Sequence, residues 1–309
     1  MNRPNTRPVV VGVDGEPGSA GALRYAVAQA RRRQAPLRLV HVVPAFGGPG
    51  PAIPLADLHR IGREVLEEAA QSVQELDPDL ELRTVIAHGE RRDGVVRAAE
   101  DAQLVVVGRE TRRGLDRVLT GTVTAGVAAR ASCHVVVVPS FWVDDTHHGR
   151  VVVGLKSRHN AHELLAEAFA EAAARDDVLV VVTAWQLADS YFDRIEGRTN
   201  AAEWEEEGRR VVADVSRDWR TVYPDVATET RIVHGSAARV LLDASEESDL
   251  LVISRRRLAL PPYGRLGAVG HDLLRLSDVP VHVVPYVAEP SADAEALALN
   301  HGGRGLGAL

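Results

Sequence analysis

The chain of 309 residues carries one long segment twice in diverged form, and this constrains its fold more than any other feature. Leu104–Pro139 reads LVVVGRETRRGLDRVLTGTVTAGVAARASCHVVVVP, and Asp249–Pro285 reads DLLVISRRRLALPPYGRLGAVGHDLLRLSDVPVHVVP. Gly121 aligns with Gly267, Gly108 with Ser254 and Pro139 with Pro285, all at one offset. Ala87-His88-Gly89 aligns with Val233-His234-Gly235 at the same offset, and Pro8–Gly12 with Arg150–Gly154 at a slightly shorter one. A repeat this long is a duplicated domain rather than a solenoid unit of a few dozen residues. The length agrees with two domains.

Within each copy, short aliphatic runs alternate with helical patterns. Leu104–Val107 is mostly β-branched, as in a strand covered on both faces of a parallel sheet. The first half predicts strands at Val9–Val13, Leu37–Val43, Leu80–Ala87, Leu104–Val107 and Cys133–Val138. Between them come a helix with Leu23, Ala26, Val27 and Ala30 inward, and a Gly/Pro-rich loop, Pro44–Pro54. A long amphipathic helix, Ala56–Glu75, follows with Ile61, Val65, Leu66 and Ala69 inward, then a short helix at Asp93–Ala99 and one opening on Gly121-Thr122. The second half repeats the order, with a long helix at Ala201–Trp219. A helix between every pair of strands implies parallel sheets with right-handed crossovers. The expected fold class is therefore α/β: two Rossmann-like domains, each a five-stranded parallel sheet with helices on both faces, packed as a pseudo-twofold pair. The expected bounds are 1–140, 149–287 and a polar, glycine-rich disordered tail, 288–309. Each apolar fifth strand needs cover, and the favoured reading pairs the two, within the chain or between two chains as a homodimer.

Bulk properties narrow the function. With 36 basic and 43 acidic residues the net charge is −7, which argues against nucleic acid or an anionic membrane as partner. The single cysteine, Cys133, cannot form an internal disulfide and reads as a buried inert thiol. No secretory h-region opens the chain and no apolar run spans a bilayer, so a cytoplasmic location is expected. The chain has no Walker lysine motif, no G-x-S-x-G elbow and no zinc pattern of usable spacing. His88 and His234 occupy equivalent positions and read as structural. His159-x-x-His162, and His147-His148 in the linker Phe141–His148, lack a third ligand beside them and are not read as metal sites.

Two features of the repeated segment point to an anion. Gly108 ends a buried strand, and Gly121-Thr122-Val123-Thr124 starts a helix whose free N–H groups and dipole favour phosphate. Both fall at the carboxyl end of the strands, where open α/β sheets bind ligands. Arg109, Arg112 and Arg113 either reach phosphates or form a solvated loop face.

In order, Val13-Asp14-Gly15, Leu39-Val-His-Val-Val43, His88-Gly89 and V-V-V-G…G-T-V-T…V-V-V-P resemble the universal stress protein family, and the two halves resemble its tandem type. The resemblance covers all but the tail. It implies stress-response function through binding of ATP or a related adenine nucleotide, with Mg²⁺, and regulation by conformation or partner choice with at most weak ATPase activity. Nucleotide-binding members carry G-x-x-G-x9-G-[ST]. Here the motif reads Gly108-x-x-Thr111, nine residues, then Gly121-Thr122, with threonine in place of the middle glycine. The resemblance assigns Asp14, beside Val13, to the phosphates or their metal, the backbone at Val42 to adenine, and Thr122, Val123 and Thr124 to phosphate. The second half keeps one glycine of three (Ser254, Arg257, Gly267) and has Lys156 in place of Asp14, which implies a degenerate site. Arg255, Arg256 and Arg257 hold an anion there by charge alone, if at all. The alternative is a tandem member that binds no nucleotide and acts through protein–protein contacts.

Overall fold

A computed structural model describes residues 7–44, 54–109, 121–144, 147–257 and 266–287. The chain divides into two compact units, Met1–Thr146 and His147–Leu309. Thr111, Arg112, Arg113, most of the Pro44–Pro54 loop and the tail 288–309 lie outside the described residues. No described helix is long and apolar enough to cross a membrane.

Unit 1 contains strands β1 (Val9–Gly12), β2 (Leu37–Val43), β3 (Leu82–His88), β4 (Leu104–Arg109) and β5 (His134–Pro139). They form a parallel sheet in the order β3-β2-β1-β4-β5. Sequence follows position in this sheet. Val9, Val10 and Val11 of β1 and Leu104, Val105 and Val106 of β4 have no solvent exposure, because helices cover both faces at the centre. Edge strand β3, reading LRTVIAH, has no buried residue and carries charge on its open side. Helix α1 (Ala20–Arg33) buries Leu23, Ala26, Val27 and Ala30 as expected, with Ala22 beside them, and ends where Gln34 turns left-handed after three arginines.

Helix α2 (Leu55–Leu76) corrects one expectation. Its buried stripe is Gly62, Leu66 and Val73, and Ile61 is 42% exposed. Gly62 rather than Ile61 faces the sheet because a β-carbon there would already lie 3.0 Å from the His41 ring. Helices α3 (Arg91–Ala98) and α4 (Gly121–Arg130) complete the unit.

Unit 2 repeats the order with β6 (Arg150–Gly154), β7 (Val178–Trp185), β8 (Thr228–His234), β9 (Leu250–Arg257) and β10 (Val281–Val287), arranged β10-β9-β6-β7-β8. Its helices are α5 (Ala161–Arg175), α6 (Ser190–Thr199), α7 (Ala201–Val222), α8 (Ala237–Ser245) and α9 (Ala268–Leu276). Apolar periodicity does not announce α6. Tyr191, Phe192 and Ile195 are exposed, and the buried residue is Asp193. Its start is nevertheless written in the sequence: Asp189 Oδ1 accepts from the N–H groups of Tyr191 (2.8 Å) and Phe192 (3.1 Å). Strand β9 runs through Arg257 and pairs residue for residue with β10, and Arg255 is buried. The basic run is therefore strand.

Candidate functional site

The carboxyl end of the unit 1 sheet is shaped by where β1 leaves it. Val13 N–H donates to Val40 O at 2.9 Å, and the chain then turns away through Asp14 and Gly15, whose φ of +80° suits glycine. In a parallel ladder, alternate residues direct both backbone groups to the same neighbour. Val42 has the parity of Val40, so its N–H and C=O point to the side that β1 has vacated. Pairing of β2 with β1 stops at Val40, whereas pairing with β3 continues to Val43. The Val42 side chain is buried against α3, close enough that a β-carbon at Gly94 would lie 2.6 Å from Val42 Cγ1. His41 fixes the departure of β1 from below, its Nδ1–H donating to Val13 O at 2.9 Å.

Asp14 is exposed. Its Oδ1 accepts from Glu16 N–H at 3.1 Å, and among the described residues no arginine or lysine pairs with it. The turn continues into α1 through Ser19, whose hydroxyl donates to Glu16 O at 2.8 Å.

Gly108 sits where this loop meets β4. A β-carbon on Gly108 would lie 2.5 Å from Gly18 O, so backbone touches backbone and only glycine fits. The Gly108 carbonyl accepts a hydrogen bond from the buried Thr124 hydroxyl at 3.2 Å. That bond seats the first turn of α4 against the end of β4. The first N–H groups of α4, from Gly121 onward, have no acceptor within the helix. Arg109 continues β4, its carbonyl accepting from Ser140 N–H at 3.0 Å. Of the residues singled out from sequence, the structure joins Gly108 and Thr124 directly, and places Val13 and Val42 at the point where β1 leaves β2. Thr111 is outside the described residues. Motif reading passed over Gly18 and His41. His41 read only as part of a strand.

The same end of unit 2 is built from different groups. Asn160 stands at the counterpart of Gly18, and Ser254 at that of Gly108. The buried Asn160 amide donates to Ser254 Oγ at 2.5 Å, and its Oδ1 accepts from the Ser157 hydroxyl at 3.2 Å and the Ser157 N–H at 3.3 Å. Arg158 ties this loop to Asp214 of α7. Over the ends of β7 and β8, Trp185 stacks on Trp204, with centroids 5.3 Å apart, and on His234 at 4.3 Å. Helix α6 clamps His234: Asp193 Oδ1 lies 2.9 Å from its Nε2, and a β-carbon at Gly197 would lie 2.7 Å from its Cε1. Asp193 also accepts from Leu187 N–H at 2.8 Å. The hydrogen bond from His234, then the Leu187 amide, hold its carboxyl below the usual carboxylate range. Leu155, Lys156, Ser157, Thr183, Gly208 and Val211 line a shallow recess with no room for a small molecule.

The sequence profile of the universal stress protein family matches residues 5–139 and 147–285. Universal stress protein Rv2005c of Mycobacterium tuberculosis is 29% identical over 285 residues, covering 89% of this chain and 96% of that protein. Universal stress protein Rv2623 of the same organism is 28% identical over 286 residues, covering 89% and 95%. The crystal structure of a universal stress protein from Archaeoglobus fulgidus superposes with a TM-score of 0.65 at 16% identity, covering 91% of this chain and 99% of that one, which is a likeness of fold. Both repeats having matched the profile, the chain belongs to the universal stress protein family.

Proposed function

We propose that unit 1 binds ATP or a related adenine nucleotide, and that the protein acts in the stress response by conformation or partner choice rather than by turnover. The observation that carries this reading is the opening beside Val42. There the backbone N–H and C=O of an interior strand are left without a ladder partner, in the same unit as an α4 N-terminus seated on Gly108. Such an edge suits the hydrogen-bonding face of a base, and such a helix start suits phosphate. In this reading the backbone at Val13 and Val42 holds adenine. The amides of Gly121, Thr122, Val123 and Thr124 hold phosphate, with Arg109 adding charge, and exposed Asp14 takes the Mg²⁺ that accompanies the phosphates. Thr111 replaces the family glycine and tests how much freedom that loop needs. Unit 2 does not bind nucleotide in this reading, because Lys156 replaces Asp14 and Ser254 and Arg257 stand at the first two glycine positions of the motif.

A specific observation favours the second reading, a tandem member that works through its surfaces. Gly108 is required by Gly18 whether or not a ligand binds, and the Thr124 hydroxyl is already engaged on Gly108 O. Replacing Gly121 with tryptophan separates the two. Calorimetric titration with Mg·ATP should show saturable binding to the wild type and none to Gly121→Trp at unchanged circular dichroism. Absence of wild-type binding at millimolar ATP leaves the surface reading.

A further inference from the structure

At the opposite, amino-terminal end of the unit 2 sheet, strand order brings together three residues that are far apart in sequence. In the order β9-β6-β7, His147 precedes β6, Asp249 precedes β9 and Asp177 precedes β7, so the imidazole lies between two carboxylates. His147 Nε2 is 3.1 Å from Asp177 Oδ1, and its Nδ1 is 3.6 Å from Asp249 Oδ2. One donor atom from each of the three lies within 4.8 Å of the others. We propose that His147, Asp177 and Asp249 bind a divalent transition-metal cation of the zinc class.

Burial and charge support this assignment. The Asp177 side chain is 0% exposed and that of Asp249 is 8% exposed. Carboxylates withdrawn from water this far are stabilised by a cation or by hydrogen bonds. His147 Nε2 faces Asp177, and His148 Nδ1 lies 3.5 Å from Asp249 Oδ1. Arg150 turns instead to Glu247, at 3.7 Å. Asp249 is held in place by backbone: His148 N–H donates to Oδ1 at 2.9 Å and Arg150 N–H to Oδ2 at 3.1 Å. An imidazole holds an ion through one nitrogen: with the ion at Nε2, the 3.1 Å to Asp177 falls in the roughly 3–3.4 Å that two ligands about 2.1 Å from one ion span, and the Asp249 carboxylate, now on the Nδ1 side, closes on the ion as it binds. One imidazole with two carboxylates is a mixed nitrogen and oxygen set. It suits zinc, cobalt, nickel or manganese better than calcium or magnesium, which take oxygen. Three protein ligands leave a coordination position for water, and His147, 62% exposed, gives access.

The other repeat supplies an independent observation. Strand registers place Ala35 at the counterpart of Asp177 and Gln103 at that of Asp249. Gln103 simply donates to Arg7 O at 2.6 Å. Unit 1 has no carboxylate at either of these two positions, so the fold itself does not require the pair.

The test is calorimetry of the untagged, metal-stripped full chain with ZnCl₂, followed by the visible spectrum with CoCl₂. The expected result is about one Zn²⁺ per chain, with affinity reduced at least about tenfold in His147→Ala and in Asp249→Asn and unchanged in Asp79→Asn and His59→Ala. Asp177→Asn should abolish binding. If that variant misfolds by circular dichroism, His147→Ala, at an exposed side chain, carries the test. Zn²⁺ binding of equal strength in His147→Ala overturns the proposal. So does the absence of saturable binding to the folded wild type, which would leave an ion pair alone.

Discussion

The two repeats solve one packing problem in two ways. Where the first loop of each unit crosses the end of its fourth strand, unit 1 brings Gly18 O against Gly108 with no room for a side chain. Unit 2 places Asn160 and Ser254 at the same two positions and joins them through a side-chain hydrogen bond. The changes come as a pair, since Ser at position 108 alone would collide with Gly18, and Asn160 without Ser254 would leave a buried amide short of a partner. The glycine in the unit 1 motif therefore has a local cause before any ligand is considered. The vacated edge itself is common to both units, at Val42 in unit 1 and at Ala184 in unit 2. The units differ beside it: Lys156 stands where unit 1 has Asp14, and Trp185, His234 and the clamp from α6 cover the ends of β7 and β8 where unit 1 has His88 against His59.

The strongest way to break this comparison is Gly108→Val. The side chain would enter the Gly18 backbone, and we expect a loss of about 1–3 kcal/mol or more, read from the urea midpoint of unit 1. Transplanting the unit 2 solution, Gly18→Asn with Gly108→Ser, should recover only part of the cost of Gly108→Ser alone, because the side-chain bond forms while the carbonyl at position 18 still meets the new β-carbon. A double-mutant cycle should give a coupling of about 0.5–3 kcal/mol. Additivity would show that the two contacts are unrelated. In unit 2, Ser254→Ala strands the buried Asn160 amide and should cost about 1–3 kcal/mol by the same measurement.

Acid sharpens the contrast at α6. The carboxyl of Asp193 is depressed in the folded state, so its stabilising contribution is present above the unfolded value of about 4 and is lost as pH falls through the folded one. The wild type should exceed Asp193→Asn in urea midpoint at neutral pH, and the gap should close on acidification. A gap independent of pH would mean that the Asp193–His234 contact contributes no charge-dependent stability. Smaller still, Thr124→Val should cost about 0.5–1.5 kcal/mol through its bond to Gly108 O. Ile61→Glu, at a half-exposed position, should stay within about 0.5 kcal/mol.

These effects also mark what the amino-acid sequence makes legible. The valine runs of β1, β4, β6 and β9 announce strands buried on both faces, and the repeat announces the duplication, because both signals come from burial that the whole sheet shares. Ile61 misleads because a stripe shifted by one residue is equally periodic, and the choice rests on Gly62 meeting His41 across the sheet. Helix α6 escapes because its inward residues are Asp193 and Gly197, chosen for one imidazole rather than for apolar burial. At the candidate site, Gly108 and Thr124 are legible from the motif. The Val42 edge is not, since it depends on where a neighbouring strand departs.

The central claim is that one repeat binds nucleotide and the other does not. Its most direct measurement is the stoichiometry of Mg·ATP binding to the full chain by calorimetry. The account predicts about one site per chain, lost in Gly121→Trp and unchanged when Gly267 is replaced in the same way. Two sites per chain, or one that survives Gly121→Trp, would contradict it.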